Sequence, residues 1–148
     1  MLIAPLTESD LPACAALLMD AYNGPPWDSQ WTLALATRYL TELRQMPRFV
    51  GFTLCEEGPE AALVGCTFGH ERTWWTADEL FVDELYVGRA HQGQGHGGRL
   101  LAHLEEHCRA RGLAGVTLLT NRHMPALGFY HARNYTLAEH VAFLYRVV

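Results

Sequence analysis

Two neighbouring stretches carry residue types that can do chemistry, Asp83-Glu84-Leu85-Tyr86-Val87 and Gln92-Gly93-Gln94-Gly95-His96-Gly97-Gly98. Glycine reaches backbone conformations that other residues resist and presents its N–H with no Cβ beside it. Several such N–H groups feeding directly into a helix N-terminus make a seat for a phosphate or pyrophosphate. Arg89, just upstream, brings a cation near that seat. Two anion-binding glycine motifs are excluded. A P-loop needs Gly-Lys-Ser or Gly-Lys-Thr, and the chain has neither. Gly93 to Gly98 satisfies the bare GxGxxG string, but no second nucleotide-binding half follows it in 148 residues. Taken alone, the loop also fits a glycine-rich turn with no ligand.

Asp83 and Glu84 sit in the middle of an otherwise apolar strand, where charge needs water or a partner. Successive strand residues face opposite ways, so both enter one cleft only if a bulge intervenes. Surface exposure, or pairing with Arg72 or Arg89, is the plainer alternative. Trp74 and Trp75 fit a wall that receives an ammonium or a ring, and equally a clamp holding a loop onto the core. Trp27 and Trp31 leave the same two readings open. The histidines make no case for a metal. His103 and His107 are four apart on a helix, but no third ligand stands at a convincing position. The expectation for that pair is a solvated helix face.

The elements that must position these residues follow from periodicity. Leu2 to Leu6 reads as a short strand, with Thr7 or Ser9 capping a helix through Leu11, Cys14, Leu18 and Tyr22. Asn23-Gly24-Pro25-Pro26 breaks the chain, and Asp28 or Ser29 is the expected cap of a second helix ended by Pro47. Val50–Cys55 and Ala61–His70 read as a hairpin joined by Glu57-Gly58-Pro59-Glu60, and Leu80–Val87 as a further strand. Trp74-Trp75 fits either a strand continuation or a loop. After the glycine loop, Leu100, Leu101, Leu104 and Cys108 mark one side of a helix that exits at Gly112. Val116–Thr120 reads as a strand, Pro125–Ala132 as a short helix and Val141–Val148 as a last strand. That order predicts a single α/β (α+β) domain over residues 1–148 with a mixed sheet.

Composition agrees with one folded domain: 49% hydrophobic and 18% charged residues. With 11 Lys and Arg against 16 Asp and Glu, the net charge is -5, which argues against a nucleic-acid groove and leaves room for a cationic partner. Cys14, Cys55, Cys66 and Cys108 form no CxxC pair and lie in runs that read as element interiors, so four unpaired thiols are expected. The opening Met1-Leu2-Ile3-Ala4-Pro5-Leu6 lacks the charge and apolar run of a secretion signal, and no later run reaches a membrane span. The expected location is the cytoplasm, without membrane association.

Gln92-x-x-Gly95-x-Gly97 resembles the acyl-CoA pyrophosphate signature of the GNAT superfamily. Glu84-Leu85-Tyr86-Val87 resembles that family's central strand, and Phe129-Tyr130-His131-Ala132-Arg133-Asn134-Tyr135 its later Phe-Tyr helix and aromatic turn. The likeness is strong over the second half of the chain, and the first half agrees in its order of elements. It implies a mostly antiparallel sheet flanked by helices, with central strands that splay apart. It also implies an acetyl-CoA site built by Leu85, Tyr86, Val87, Gln92, Gly93, Gln94, Gly95, His96, Gly97, Gly98, Arg99 and His123. His96 stands where an aliphatic residue is common, His123 where many relatives have Asn, and Asn134 where Gly is usual.

By the same resemblance Tyr130 corresponds to a tyrosine that acts as general acid; aromatic packing beside Phe129 is its alternative. A phenol ionises at about 10, near an alkyl thiol, so it suits protonation of a leaving thiolate. Asp83-Glu84-Leu85-Tyr86-Val87 also looks like the acidic stretch of polyamine and thialysine acetyltransferases, where the carboxylates bind the amine and pass its proton through water. An amine ionising near 10 gives its proton poorly to an ordinary carboxylate, which favours such a relay. Glu79, Trp74, Trp75, Trp27 and Trp31 are the candidates for the acceptor end. The implied activity is acetylation of a small amine, polyamine-like or aminoglycoside-like, in a possible homodimer. Protein or peptide N-acetylation and a noncatalytic acyl-CoA-binding domain are the alternatives.

Overall fold

The computed structural model describes residues 1–59 and 61–148; Glu60, in the expected hairpin turn, lies outside the described residues. Five strands form one sheet in the order β1 (Leu2–Pro5), β2 (Phe49–Cys55), β3 (Leu63–Arg72), β4 (Glu79–Val87), β5 (Val116–Leu118). The first three pairings are antiparallel and β4–β5 is parallel, so the sheet is mixed and mostly antiparallel.

Helices α1 (Leu11–Tyr22) and α2 (Leu33–Arg44) cover one face. Their stripe of Cys14, Leu18, Ala36 and Leu40 is fully buried against Cys66, Phe68 and Tyr86. Helix α3 (His96–Arg111) covers the other face, where Leu101, Leu104 and Cys108 pack on Val50, Leu80 and Val82. Each fully buried Leu of these stripes contributes about 2 kcal/mol by leaving water. Gly112, left-handed at φ 67°, ends α3 as its sequence position predicts. Helix α4 (Pro125–His131) follows β5 and packs Phe129 and Tyr130 onto the same face as α3. Among the described residues no helix is long and apolar enough to cross a membrane.

Three local expectations are corrected, and one that the sequence left open is decided. Helix α2 is capped by Thr32, whose hydroxyl accepts from Leu35 N–H at 3.2 Å, rather than by Asp28 or Ser29. Asp28 instead closes the Gly24 turn with its N–H on the Gly24 carbonyl. Trp74 and Trp75 fall on the β3–β4 connection and do not extend a strand. His103 and His107 are not a solvated face. The His103 ring meets Phe52 edge-on at 4.4 Å, and His107 Nε2 bonds Glu71 at 3.1 Å.

The third correction is the C-terminus. Val141–Val148 has a strand's composition, yet it pairs with nothing among the described residues, and Phe143, Leu144 and Tyr145 are at least 76% exposed. A strand exists only as part of a ladder. The edge strand β5 is three residues long, and its one strand partner among the described residues is β4.

Candidate active site

The site begins with an irregularity in β4. Phe68 of β3 pairs with Glu84 and Gly69 with Val82, which leaves Asp83 as an extra residue with no partner: a β-bulge. Gly69 permits it, because a Cβ there would stand 2.6 Å from the Phe81 carbonyl oxygen. The bulge resets the alternation of side chains. Val82 and Leu85 belong to the α3 face, while Asp83, Glu84 and Tyr86 all turn toward α1 and α2. The two carboxylates that simple alternation would separate therefore share one side and line one cleft.

The cleft, about 650 Å³, opens where β4 and β5 part. Their ladder covers only Leu80–Val82 against Val116–Leu118. Beyond it the strands diverge, with Val82 to Val87 on one wall and Leu118 to Asn121 on the other. Ala126, Phe129 and Tyr130 of α4 line it, as do Gln92, Gly93 and Gly97 at its glycine end. At the α1–α2 end it is walled by Tyr22, Trp27 and Trp31. Trp27 meets Tyr22 edge-on at 5.4 Å, and Trp31 stacks on Tyr39 at 5.2 Å.

Glu84 is the half-buried carboxylate of this cleft. Tyr22 and Tyr39 donate their hydroxyls to its two carboxylate oxygens, each at 2.8 Å. Burial pushes the carboxyl above its ordinary range; the two phenol hydrogen bonds oppose that rise and Asp83 adds to it. No arginine or lysine pairs with it among the described residues. Asp83 has a different partner, the His70 ring, whose Nδ1 lies 2.8 Å from Asp83 Oδ2.

Tyr130 also faces the cleft, and among the described residues its hydroxyl makes no hydrogen bond. Burial, with a smaller contribution from Glu84, pushes it up to about 12. Tyr130 therefore keeps its proton throughout the neutral range and has it free to give.

At the glycine end, Gly93 (φ 73°) and Gly95 (φ 82°) are left-handed, and Gly95 is the N-cap of α3. Gln92 braces the loop by donating Nε2 to the Val87 carbonyl at 2.9 Å, and Gln94 donates to Ala90 O at 3.1 Å. Gly97 and Gly98 lie in the first turn beside the Phe129 ring and the Arg133 guanidinium. These features fit an acyl-CoA: unobstructed N–H groups at a helix start, an unpaired strand edge and a channel beside it. Arg133, which sequence reasoning did not single out, brings the nearest cation to that helix start. Arg99 points elsewhere, donating to Met1 O at 3.2 Å, and Arg89 is held by Asp20.

Of the remaining sequence candidates, Leu85, Tyr86 and Val87 line the cleft, but the Tyr86 hydroxyl turns into the core to reach Cys14 O at 2.9 Å. His96 is buried with neither ring nitrogen bonded. His123 is exposed, and Asn121, whose Oδ1 accepts the His123 N–H, is the residue that lines the cleft. Trp74, Trp75 and Glu79 are not among the lining residues. Trp75 is 86% exposed, Trp74 stacks with Arg72, and Glu79 is ion-paired with Arg72. Tyr22, Tyr39, His70 and Asn121 were not found from sequence. Tyr22 stood only in the helical stripe of α1, and Tyr39 was not named.

The whole chain has the shape of known acetyltransferases. It superposes on a transcriptional regulator from Bacillus halodurans C-125 with TM-score 0.77 and 21% identity, covering 99% of both chains. A ribosomal-protein-alanine N-acetyltransferase from Brucella melitensis biovar Abortus 2308 matches with TM-score 0.76 and 19% identity, over 99% of this chain and 100% of that one. An aminoglycoside acetyltransferase from an uncultured soil metagenomic sample matches with TM-score 0.72 and 20% identity, over 99% of this chain and 97% of that one. No curated protein matches the sequence. The model of the acetyltransferase (GNAT) family matches residues 12–135, a span that holds the bulge, the splayed strands, the glycine loop and Tyr130. The chain belongs to the acetyltransferase (GNAT) family.

Proposed function

We propose that this protein acetylates a primary amine of a small cationic molecule, using acetyl-CoA. The observation that carries the acceptor class is Glu84, a half-buried carboxylate facing the cleft with two phenol donors and no cationic partner among the described residues. A negative charge partly withdrawn from water in this way is stabilised when an ammonium enters beside it. The faces of Tyr22, Trp27 and Trp31 add cation–π attraction. The solved relatives do not decide between acceptors, since their names span a ribosomal protein and aminoglycosides. The aromatic walls around the carboxylates favour a small molecule over a peptide.

Acetyl-CoA supplies the acetyl group as an activated thioester. The N–H groups of Gly93 to Gly98 would hold its pyrophosphate, and the free edge of Leu85 to Val87 its arm. The chain's own groups then have three tasks. Glu84 binds the acceptor as its ammonium, the Asp83 side accepts the proton that the amine must lose, and Tyr130 gives its phenol proton to the departing sulfur. The four unpaired thiols suit a reducing cytoplasm. The exposed Phe143, Leu144 and Tyr145 supply an apolar contact for a homodimer.

The test is thiol release from acetyl-CoA across polyamines, amino acids, aminoglycosides and short peptides. A cationic small molecule is expected to turn over with saturation. Tyr130→Phe is expected to lower kcat about 100-fold or more while acetyl-CoA still binds. Turnover of peptides alone would replace the acceptor class, and no binding of acetyl-CoA would remove the cofactor.

A further inference from the structure

A carboxylate drawn partly out of water keeps its charge only where donors or cations surround it. Glu84 has no cation beside it among the described residues, so that task falls to its two phenols. The two are not equivalent. Tyr22, the last residue of α1, lines the cleft, whereas Tyr39 of α2 does not. Tyr39 stands one residue before the fully buried Leu40, at the edge of the stripe that packs α2 on the sheet. From there it reaches two groups that do line the cleft. Its hydroxyl donates to Glu84 Oε1 at 2.8 Å, and its ring stacks on Trp31 with centroids 5.2 Å and planes 27° apart. The Trp31 backbone is held as well. Its N–H donates to Asn23 Oδ1 and its carbonyl accepts from Asn23 Nδ2, each at 2.9 Å. Trp31 is thus clasped at the backbone by the residue that ends α1 and at the ring by α2.

Resting on the acceptor reading above, we infer that Tyr39 is a positioning residue for the acceptor, fixing both the carboxylate and the Trp31 wall that receive the ammonium. It touches neither the amine nor acetyl-CoA. Its hydroxyl takes one lone pair of Oε1, and that of Tyr22 one lone pair of Oε2, so each oxygen keeps another for an ammonium. Its ring covers one face of the Trp31 indole, which leaves the opposite face for a cation. The same hydrogen bond bears on the charge. Burial raises the Glu84 carboxyl and the phenols of Tyr22 and Tyr39 lower it, so removing either phenol lets the proton return at a higher pH. Tyr39 stays a donor throughout, because burial and the Glu84 charge hold its phenol well above the ordinary range.

The other titratable groups around Glu84 have different partners or stay neutral. On β4, Asp83 meets His70 of β3 at 2.8 Å and adds to the rise of the Glu84 carboxyl. Tyr86, also on β4, donates to the Cys14 carbonyl of α1 at 2.9 Å. The Cys66 thiol of β3 is fully buried, and burial pushes it up. Tyr130 of α4 holds its proton to about 12. Among the described residues, only Tyr22 and Tyr39 hydrogen-bond the Glu84 carboxylate.

The experiment compares kcat and KM for the wild type, Tyr39→Phe, Glu84→Gln and the double variant, with the cationic acceptor that turns over, from pH 6 to 9. Phe keeps a ring on Trp31 and removes only the hydroxyl. Tyr39→Phe is expected to leave kcat within about twofold and to raise KM about tenfold at pH 6.5, the effect of one hydrogen bond to a charged group. The rise is expected to shrink to about threefold by pH 8.5, where the variant's carboxyl has lost its proton. His70 is common to the proteins compared, so it does not create the difference between their profiles. In the double variant KM is expected to equal that of Glu84→Gln, because the hydroxyl acts through the charge. A Tyr39→Phe profile identical to the wild type, or a full further loss on top of Glu84→Gln, would overturn the positioning role. The second readout needs neither turnover nor acetyl-CoA: the infrared carbonyl band of the protonated Glu84 carboxyl, assigned by its loss in the double variant. In Tyr39→Phe that band is expected to persist about one pH unit higher than in the wild type. An unchanged midpoint would overturn the role whatever the acceptor panel gives. A shifted midpoint with no cationic amine turned over would instead remove the acceptor reading, and the recognition role with it.

Discussion

At the scale of residues, the cleft surrounds groups of similar chemistry in different ways. Glu84 and Asp83 are adjacent carboxylates, but Glu84 is held by two phenols and Asp83 by an imidazole. Three tyrosines reach toward Glu84 or the cleft, yet only Tyr130 keeps its hydroxyl without a protein partner among the described residues. The expected consequence of Glu84→Gln is therefore specific. The amide keeps the shape and accepts from one phenol, but the charge that draws an ammonium is gone. KM for a cationic acceptor should rise about tenfold to 100-fold, equivalent to about 1.4–2.8 kcal/mol. Acetyl-CoA affinity, measured by calorimetry, should stay as in the wild type. Burial at about 12 keeps Tyr130 protonated below that pH, so its ionisation should cause no loss of kcat between pH 7 and 10.

At the scale of elements, two junctions hold the site together. The first is the turn into α3, where Gly95 caps the helix at φ 82°. A Cβ would meet no neighbour there, so the cost of Gly95→Ala is that of the left-handed backbone alone, roughly 1–2 kcal/mol. Thermal denaturation should show that loss, and acetyl-CoA should bind more weakly because the N–H groups of the loop shift with it. The second junction is Glu71 at the end of β3. It is 6% exposed and accepts from Arg48, His107 and Arg111, thereby tying the turn before β2 to β3 and α3. The Arg111 hydrogen bonds, with those from Arg48 and His107, outweigh burial and hold its carboxyl down to about 2, from an ordinary 4.5. A carboxyl held low in the folded state contributes stability above its unfolded value and loses it as pH falls. Wild-type melting temperature should thus drop between pH 4.5 and 2 through this group. Glu71→Gln should flatten that part of the profile and cost about 1–2 kcal/mol at pH 7, since Arg48 and Arg111 remain partly in water.

At the scale of the whole molecule, the apolar tail is the feature left over. Phe143, Leu144, Tyr145, Val147 and Val148 are all at least 76% exposed on one segment. An apolar run of that kind is an association surface in water. Sedimentation at micromolar concentration should give a dimer for the wild type and a monomer for the double substitution Phe143→Asp and Leu144→Asp. The melting temperature should be unchanged in the monomer, because none of these side chains belongs to the core. A wild-type monomer at those concentrations would remove the dimer.

Most of the elements and the glycine loop were legible in the sequence. Stripes such as Leu100, Leu101, Leu104 and Cys108 can be buried only on one side of a helix, and Gly95 and Gly112 mark its ends through backbone freedom that no other residue has. Local signals of this kind are complete within a few residues. The tertiary structure alone decided who meets whom. No spacing reveals that Gly69 makes room for a bulge at Asp83, or that the bulge turns both carboxylates to one face. Tyr22 and Tyr39 are 62 and 45 residues from Glu84, and nothing local links them to it. Residue type alone likewise did not show that Trp74, Trp75 and Glu79 lie outside the residues that line the cleft. It failed too for Val141–Val148, because a strand-like composition has no ladder until a partner edge comes within reach.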